Sequence, residues 1–279
     1  CLGAKITFAD IYLTTYCLNP HEVAKHNQRI VIATNLFGHP APLDELWRQK
    51  HFLIEDNAQA PFAMEHGRLT GTIGNVGVSS LNVHKHFQAG EGGVCTTNSG
   101  IVADRMRMFR NHGEMAGAAN IGLNLRMTEV TAAIACAQLA RGRQLVKDRV
   151  EIAEEILYEL KDLPNVFLPV TRQNCRHVYY CLPFYVAENR DWFVDAMIAE
   201  GVPLQKGYVK PLYHLPAFRD SFTSCPHAEK AHAHIALYEN CAWTPTSEQI
   251  KQIAEAFKKV ADQCRSMDER SDLESHPTA

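Results

Sequence analysis

No apolar run in the chain approaches the roughly 20 residues that a membrane-spanning helix needs, so nothing points to a helical bilayer protein. No charge of one sign dominates either. With 28 basic and 31 acidic side chains the formal net charge is −3, which lacks the basic footprint of a nucleic-acid binder. Cys-x-x-Cys pairs are missing, and the nine cysteines are scattered and odd in number. That pattern argues against a disulfide framework or a structural zinc and fits reduced thiols in a cytoplasmic compartment. His227, His232 and His234 have no acidic or thiol ligand at a familiar spacing, and two histidines two apart do not share a helix face, so no metal is expected. Internal repeats and low-complexity segments are also absent.

What remains is a chain of 279 residues, 46% hydrophobic, long enough to bury a full core in one large or two medium domains. Residues 29–34 read as a buried strand and 43–51 as a helix with Leu43, Leu46 and Trp47 on one face. Residues 52–54, 77–81 and 93–97 read as further strands. Apolar runs separated by helical or Gly-rich connections predict an α/β fold with a mostly parallel central sheet. Residues 128–139 and 144–163 read as helices with a hinge over 140–143. After Pro164 come short strands at 166–168 and 178–186, a helix at about 191–200, and a closing helix over 247–264. The expected domains are therefore 1–144 for a large domain, 145–264 for a smaller α+β domain, and 265–279 for a disordered tail. The segment Ala4–Ala9 resembles a strand. The chain opens at Cys1 as if in the middle of a domain, which suggests a fragment of a longer protein.

Lys85 is the residue around which a chemistry can be built. An apolar run, Val76–Leu81, leads into it, Ser79 and Ser80 precede it by six and five residues, and Glu91-Gly92-Gly93 follows. An amine at a strand end near hydroxyls suits a Schiff-base lysine beside a phosphate. Asp56 ends another apolar run, where a carboxylate reaches the crevice in which α/β proteins hold ligands. A pyridoxal phosphate site needs an amine, a carboxylate for the ring nitrogen, phosphate donors and a group against the ring. Lys85, Asp56, Ser80 and Gln59 answer those demands in turn. Each also has an ordinary structural reading, as a surface charge, a turn cap, a strand-end hydroxyl and a surface amide.

Five stretches carry a resemblance: Leu53–Ala60 (Leu-Ile-Glu-Asp-Asn-Ala-Gln-Ala), the Ser80-to-Lys85 spacing, Glu91–Gly93, Arg110–Gly113 and Gly122–Met127. In this order they are similar to the DegT/StrS group of sugar aminotransferases, fold-type I enzymes that use pyridoxal phosphate, over residues 1 to about 262. The resemblance implies Lys85 as the Schiff-base lysine, Asp56 as partner of the ring nitrogen, Gln59 beside the ring and Ser80 as a phosphate ligand. It implies that Asn124 reaches the phosphate of a neighbouring subunit, hence a homodimer with shared active sites. Family members carry a further segment, the size of a small domain, before the point where this chain starts. That segment includes a helix N-terminus gripping the phosphate.

The implied activity is transfer of an amino group from glutamate or glutamine to a keto-sugar carried on a nucleotide, for amino-sugar or surface-polysaccharide biosynthesis. A related branch of dehydratases replaces the lysine by histidine. The register Ser79–His84 would mimic it here, although Lys85 is retained next door. A non-catalytic binding protein on the same fold is the other alternative; its signature, loss of Lys85 or Asp56, is not seen. Lys206, Tyr208 and Lys210 resemble a stretch near the family's substrate mouth, and Glu91 is expected to organise its own turn.

Overall fold

The computed structural model describes residues 3–114, 121–221, 223–241 and 243–275. The chain divides into two compact units, one made of residues 27–148 and 173–180, the other of residues 1–26, 149–172 and 181–279. The sequence-based boundary at 144/145 lies close to the division at 148/149. Two exchanges were not legible, however, because contacts between distant segments decide them. Residues 1–26 group with the C-terminal unit, and 173–180 with the other.

Residues 4–9 form no strand among the described residues. A strand needs a partner, and this segment is held by side chains. The Phe8 ring lies 5.7 Å from both Tyr213 and Phe218. Asp10 accepts hydrogen bonds from the backbone N–H groups of His227 and Ala228, at 2.9 and 3.0 Å. A single helical turn, α1 (Pro20–Val23), follows, capped by the Asn19 side chain.

The first complete unit is built on β1 (Ile30–Thr34), α2 (Leu43–Arg48), β2 (Phe52–Asp56), a small hairpin of β3 (Met64–Glu65) and β4 (Arg68–Leu69), then β5 (Val76–Ser80) and β6 (Gly93–Thr96). The main sheet has the order β1-β2-β5-β6, with β1, β2 and β5 parallel and β6 antiparallel to β5, as the apolar runs predict. Alternation separates the two faces. Val31, Ala33, Leu53 and Glu55 are buried on one. Ile32, Asp56 and Val78 lie on the other, where Ile32 is 64% exposed. On the buried face the turn at residues 71–74 crosses β5 so closely that a Cβ on Gly77 would run into the Gly71 carbonyl. Helices α3 (Gly100–Arg110), α4 (Glu129–Ala140) and α5 (Gly142–Glu159) follow. The expected four-residue hinge shrinks to Arg141. The unit division falls within α5.

The second unit carries an antiparallel sheet of order β10-β11-β9-β7, from β7 (Val166–Phe167), β9 (Leu182–Val186), β10 (Leu204–Lys206) and β11 (Ile235–Tyr238). The remaining strand, β8 (Cys175–Arg176), pairs with β3 in the other unit's small sheet. Helices α6 (Arg190–Ala199), α7 (Pro226–His234) and α8 (Ser247–Ser275) complete the unit. Phe184, Phe193 and Phe257 are fully buried, and Phe257 meets the other two rings at 4.8 and 5.8 Å. Each such side chain contributes about 1.5–3 kcal/mol by leaving water. The backbone of α8 runs on past residue 264, where a disordered tail was expected. No Gly or Pro interrupts it before Pro277, and extending an existing helix costs far less than nucleating one. Residues 276–279 of that expected tail lie outside the described residues. Among the described residues no helix is long and apolar enough to cross a membrane.

Candidate active site

Thr34, Asp56 and Ser80 end three adjacent parallel strands, at the carboxyl edge where α/β sheets hold ligands. Asp56 is in register with Thr34 on one side and Val78 on the other. Ser80, two residues beyond Val78, therefore shares the face of Asp56. The carboxylate is partly buried. Its Oδ1 accepts from the Ala58 N–H at 3.1 Å, a short Asx turn, and Oδ2 lies 3.5 Å from the Thr34 hydroxyl.

Glu55 has a different occupation. It is completely buried on the opposite face and accepts the backbone N–H groups of Gly71, Ile73 and Gly74 at 2.5, 2.7 and 2.5 Å. Burial raises its carboxyl above the ordinary 4.5, outweighing these donors, which lower it. Of two neighbouring acids, one is spent on a turn and the other faces the strand ends. Glu55→Gln replaces an acceptor oxygen with an NH2 facing a backbone donor, and is expected to destabilise the protein by about 1–3 kcal/mol. Because the folded value lies above the unfolded one, the carboxyl's linked stability is fully present below pH 4.5 and is lost as pH rises through the folded value. Urea unfolding of both proteins from about pH 4 to about pH 7 should show the gap narrowing; a gap that widens contradicts it.

The same alternation separates Ser79 from Ser80. The Asn57 side-chain amide lies 3.4 Å from the Ser79 hydroxyl, away from Asp56. The Ser80 hydroxyl accepts from the Asn82 N–H at 3.2 Å. The register that pairs Ser79 with His84 thus puts its serine on the wrong face.

Lys85 sits half-buried in the loop between β5 and β6. Leu81 closes the loop by donating to the Gly92 carbonyl at 2.9 Å and accepting from the Ala89 N–H at 2.8 Å. Glu91 organises it as expected: it accepts from the Asn82 amide at 2.7 Å, and Asn82 Oδ1 accepts the His84 N–H at 3.0 Å. The Lys85 Nζ lies 4.7 Å from the centre of the Tyr180 ring. Gln59, in the loop after β2, is buried, and its Oε1 accepts the Phe37 N–H at 2.7 Å. That bond orients the side chain, so the surface-amide reading does not hold.

Asn124 is exposed and has local partners. It forms an isolated bridge with Asn111, and its Oδ1 accepts from Arg126 Nε at 3.2 Å, while the same guanidinium donates to Asn111 Oδ1 at 3.1 Å. The cap of α4 is Thr128, whose hydroxyl accepts the Thr131 N–H at 3.2 Å, so Asn124 does not cap its own helix. In the second unit Lys206 is ion-paired with Asp195 at 2.7 Å.

Sequence reasoning missed Tyr180 and His86. His86 Nε2 donates to the Val178 carbonyl at 2.9 Å, and the His86 and Tyr180 rings are 6.0 Å apart. His177 stacks on Tyr179 at 4.1 Å and accepts its N–H at Nδ1, and burial, with the nearby His39 and His86, holds its imidazole well below the ordinary range. No sequence signal pointed to Tyr180 or His86: the run from Val178 to Val186 has the aromatic and β-branched composition of an ordinary strand.

A sequence profile describing the DegT/DnrJ/EryC1/StrS aminotransferase family matches residues 1–258. The chain belongs to that family. Among curated relatives, the erythromycin biosynthesis sensory transduction protein EryC1 of Saccharopolyspora erythraea is 30% identical over 68% of this chain and 54% of its own length. The dTDP-3-amino-3,4,6-trideoxy-alpha-D-glucose transaminase of Streptomyces venezuelae is 31% identical over 68% of this chain and 52% of itself. The chain thus spans about half the length of these two relatives. The S. venezuelae DesV crystal structure superposes with a TM-score of 0.83 at 28% identity, covering 90% of this chain and 70% of DesV. The α/β fold is therefore that of the family's aminotransferases.

Proposed function

We propose that the chain carries the catalytic body of a pyridoxal phosphate-dependent sugar aminotransferase. It would move an amino group from an amino acid, glutamate or glutamine, to a keto-sugar on a nucleotide, for amino-sugar or surface-polysaccharide biosynthesis. One observation carries this reading: Asp56 and Ser80 share a face at adjacent strand ends, with Lys85 in the loop that follows, while Glu55 and Ser79 are turned away and spent on backbone and Asn57. The donor set fits the cofactor's demands. When bound, pyridoxal phosphate supplies an electron sink for the carbon that loses its proton. With the cofactor bound, Asp56 would hold a proton on the ring nitrogen, Gln59 would stand beside the ring, and the Ser80 hydroxyl would donate to the phosphate. The Lys85 amine takes the proton from the substrate carbon and returns it, as general base and then acid. A non-catalytic role would leave this set without a task.

Incubation of the protein with pyridoxal phosphate, glutamate or glutamine, and a nucleotide-linked keto-sugar tests the reading, with mass spectrometry of the sugar as the readout. A sugar that acquires nitrogen from neither labelled glutamate nor labelled glutamine, across keto-sugars of several nucleotides, rejects it.

The neighbouring-subunit role of Asn124 belongs to the same proposal, as does the homodimer. Support comes from its exposed position and from α4 having another cap. Mixing inactive Lys85→Ala and Asn124→Asp chains is expected to restore roughly a quarter of the activity, because a random heterodimer holds one intact composite site. Subunit exchange without any recovery would return Asn124 to a local role beside Arg126.

A further inference from the structure

Residues 173–180 reach the first unit from far along the chain and end under the lysine. Cys175 and Arg176 pair with Glu65 and Met64. The Val178 N–H then donates to the Gly38 carbonyl at 3.0 Å, and the Val178 carbonyl accepts from His86 Nε2 at 2.9 Å. This places the Tyr180 ring 4.7 Å from Lys85 Nζ. The approach is tight at Gly38, which has φ +96°: a Cβ there would lie 2.9 Å from the backbone nitrogens of both Tyr179 and Tyr180.

We propose that Tyr180, held in place by the His86–Val178 hydrogen bond, is a positioning residue that restrains the Lys85 amine over its ring face. This rests on the reading of Lys85 as the reacting lysine. A lysine head on its flexible stem samples many rotamers, and a ring face that attracts the ammonium narrows that choice. The loop's own bonds act on the main chain of the lysine: its N–H donates to the Asn82 carbonyl at 3.0 Å, and its carbonyl accepts from the Gln88 amide at 3.3 Å. They leave the long side chain its rotamers. His86 adds a tie from outside the loop: it follows Lys85 directly, and its ring N–H bonds the segment that carries the Tyr180 ring. A tie made by a buried ring N–H to a carbonyl can be imitated by a glutamine amide, and an aromatic face by phenylalanine. Conservative replacements therefore separate positioning from bulk packing.

The test follows the amine itself, without cofactor. Reductive methylation of the full chain by formaldehyde and cyanoborohydride is read at Lys85 by peptide mass spectrometry and normalised to the exposed Lys50. Tyr180→Leu and His86→Leu are each expected to speed labelling of Lys85 by about threefold or more, since the restrained amine is released. Tyr180→Phe and His86→Gln should stay within about twofold of wild type, and the double leucine variant should be no faster than the faster single, as for groups acting through one contact. Should a leucine variant not fold, Tyr180→Met, which keeps bulk without an aromatic face, carries the same expectation. Unchanged Lys85 labelling in a folded leucine or methionine variant overturns the inference, as does Phe behaving like Leu. Because no cofactor enters the assay, a failure here is distinct from a failure to attach pyridoxal phosphate to Lys85.

Discussion

Borohydride reduction after incubation with pyridoxal phosphate is expected to leave the cofactor on the peptide that contains Lys85, and Lys85→Ala is expected to abolish that label. The expectation follows from surroundings rather than from the amine alone. Lys161 has a comparable ring contact, its Nζ lying 4.5 Å from the centre of the Tyr158 ring, yet it lies on an exposed helix–turn surface without a carboxylate or serine at strand ends. Lys161→Ala therefore serves as the control and should keep both label and turnover. Loss of the general base and acid at Lys85 removes about 10²–10⁴-fold of rate from proton transfer alone, before the lost attachment is counted. A label on another peptide, or none on the intact protein, rejects the assignment.

Asp56→Asn should produce the second large effect and the sharper contrast. Its amide keeps an oxygen for the Ala58 N–H and can donate to the Thr34 hydroxyl, so both local bonds survive and the melting temperature should move little. An amide cannot hold a proton on a pyridine nitrogen by charge, however, and the electron sink weakens. Turnover is expected to fall by about 10²–10³-fold, the range found when a stabilising electrostatic partner is removed from an active site. Glu55→Gln, one residue away, should do the reverse in kind, costing stability through the Gly71–Gly74 turn. Thermal melts and steady-state rates of the two variants together decide it. Near wild-type turnover in Asp56→Asn with bound cofactor would show that Asp56 does not serve the ring.

Much of the fold was legible because it is locally encoded. The runs Ile30–Thr34 and Phe52–Asp56 became parallel strands as their β-branched and apolar residues predict, with Val31, Ala33 and Leu53 buried on one face. The Ala-rich segment from Glu129 became α4 for similarly local reasons. What failed depended on remote partners. Ala4–Ala9 has strand composition but is anchored by the Phe8 ring and by Asp10 at the start of α7. The stretch 178–186 reads as one strand, yet residues up to Tyr180 serve one unit and β9 begins at Leu182 in the other. Asp56 and Ser80 were read from sequence as ends of apolar runs, and the structure sets both at strand ends on one face; that Glu55 and Ser79 turn to the other face needed coordinates. Tyr180 could not be tied to Lys85 by any spacing rule.

That last distance has a consequence for how the protein assembles. The bond from His86 to Val178 spans 92 positions of sequence, so the lysine loop emerges from the ribosome long before the segment that steadies it. Closing a connection of that length is entropically slow, and contacts of high sequence separation form late. Among the described residues the strands of the sheet β1-β2-β5-β6 all end by Thr96 and are synthesised earlier. If Tyr180 steadies Lys85 as proposed, that restraint is added by a segment made after the strand ends, in a late docking step rather than with the sheet itself.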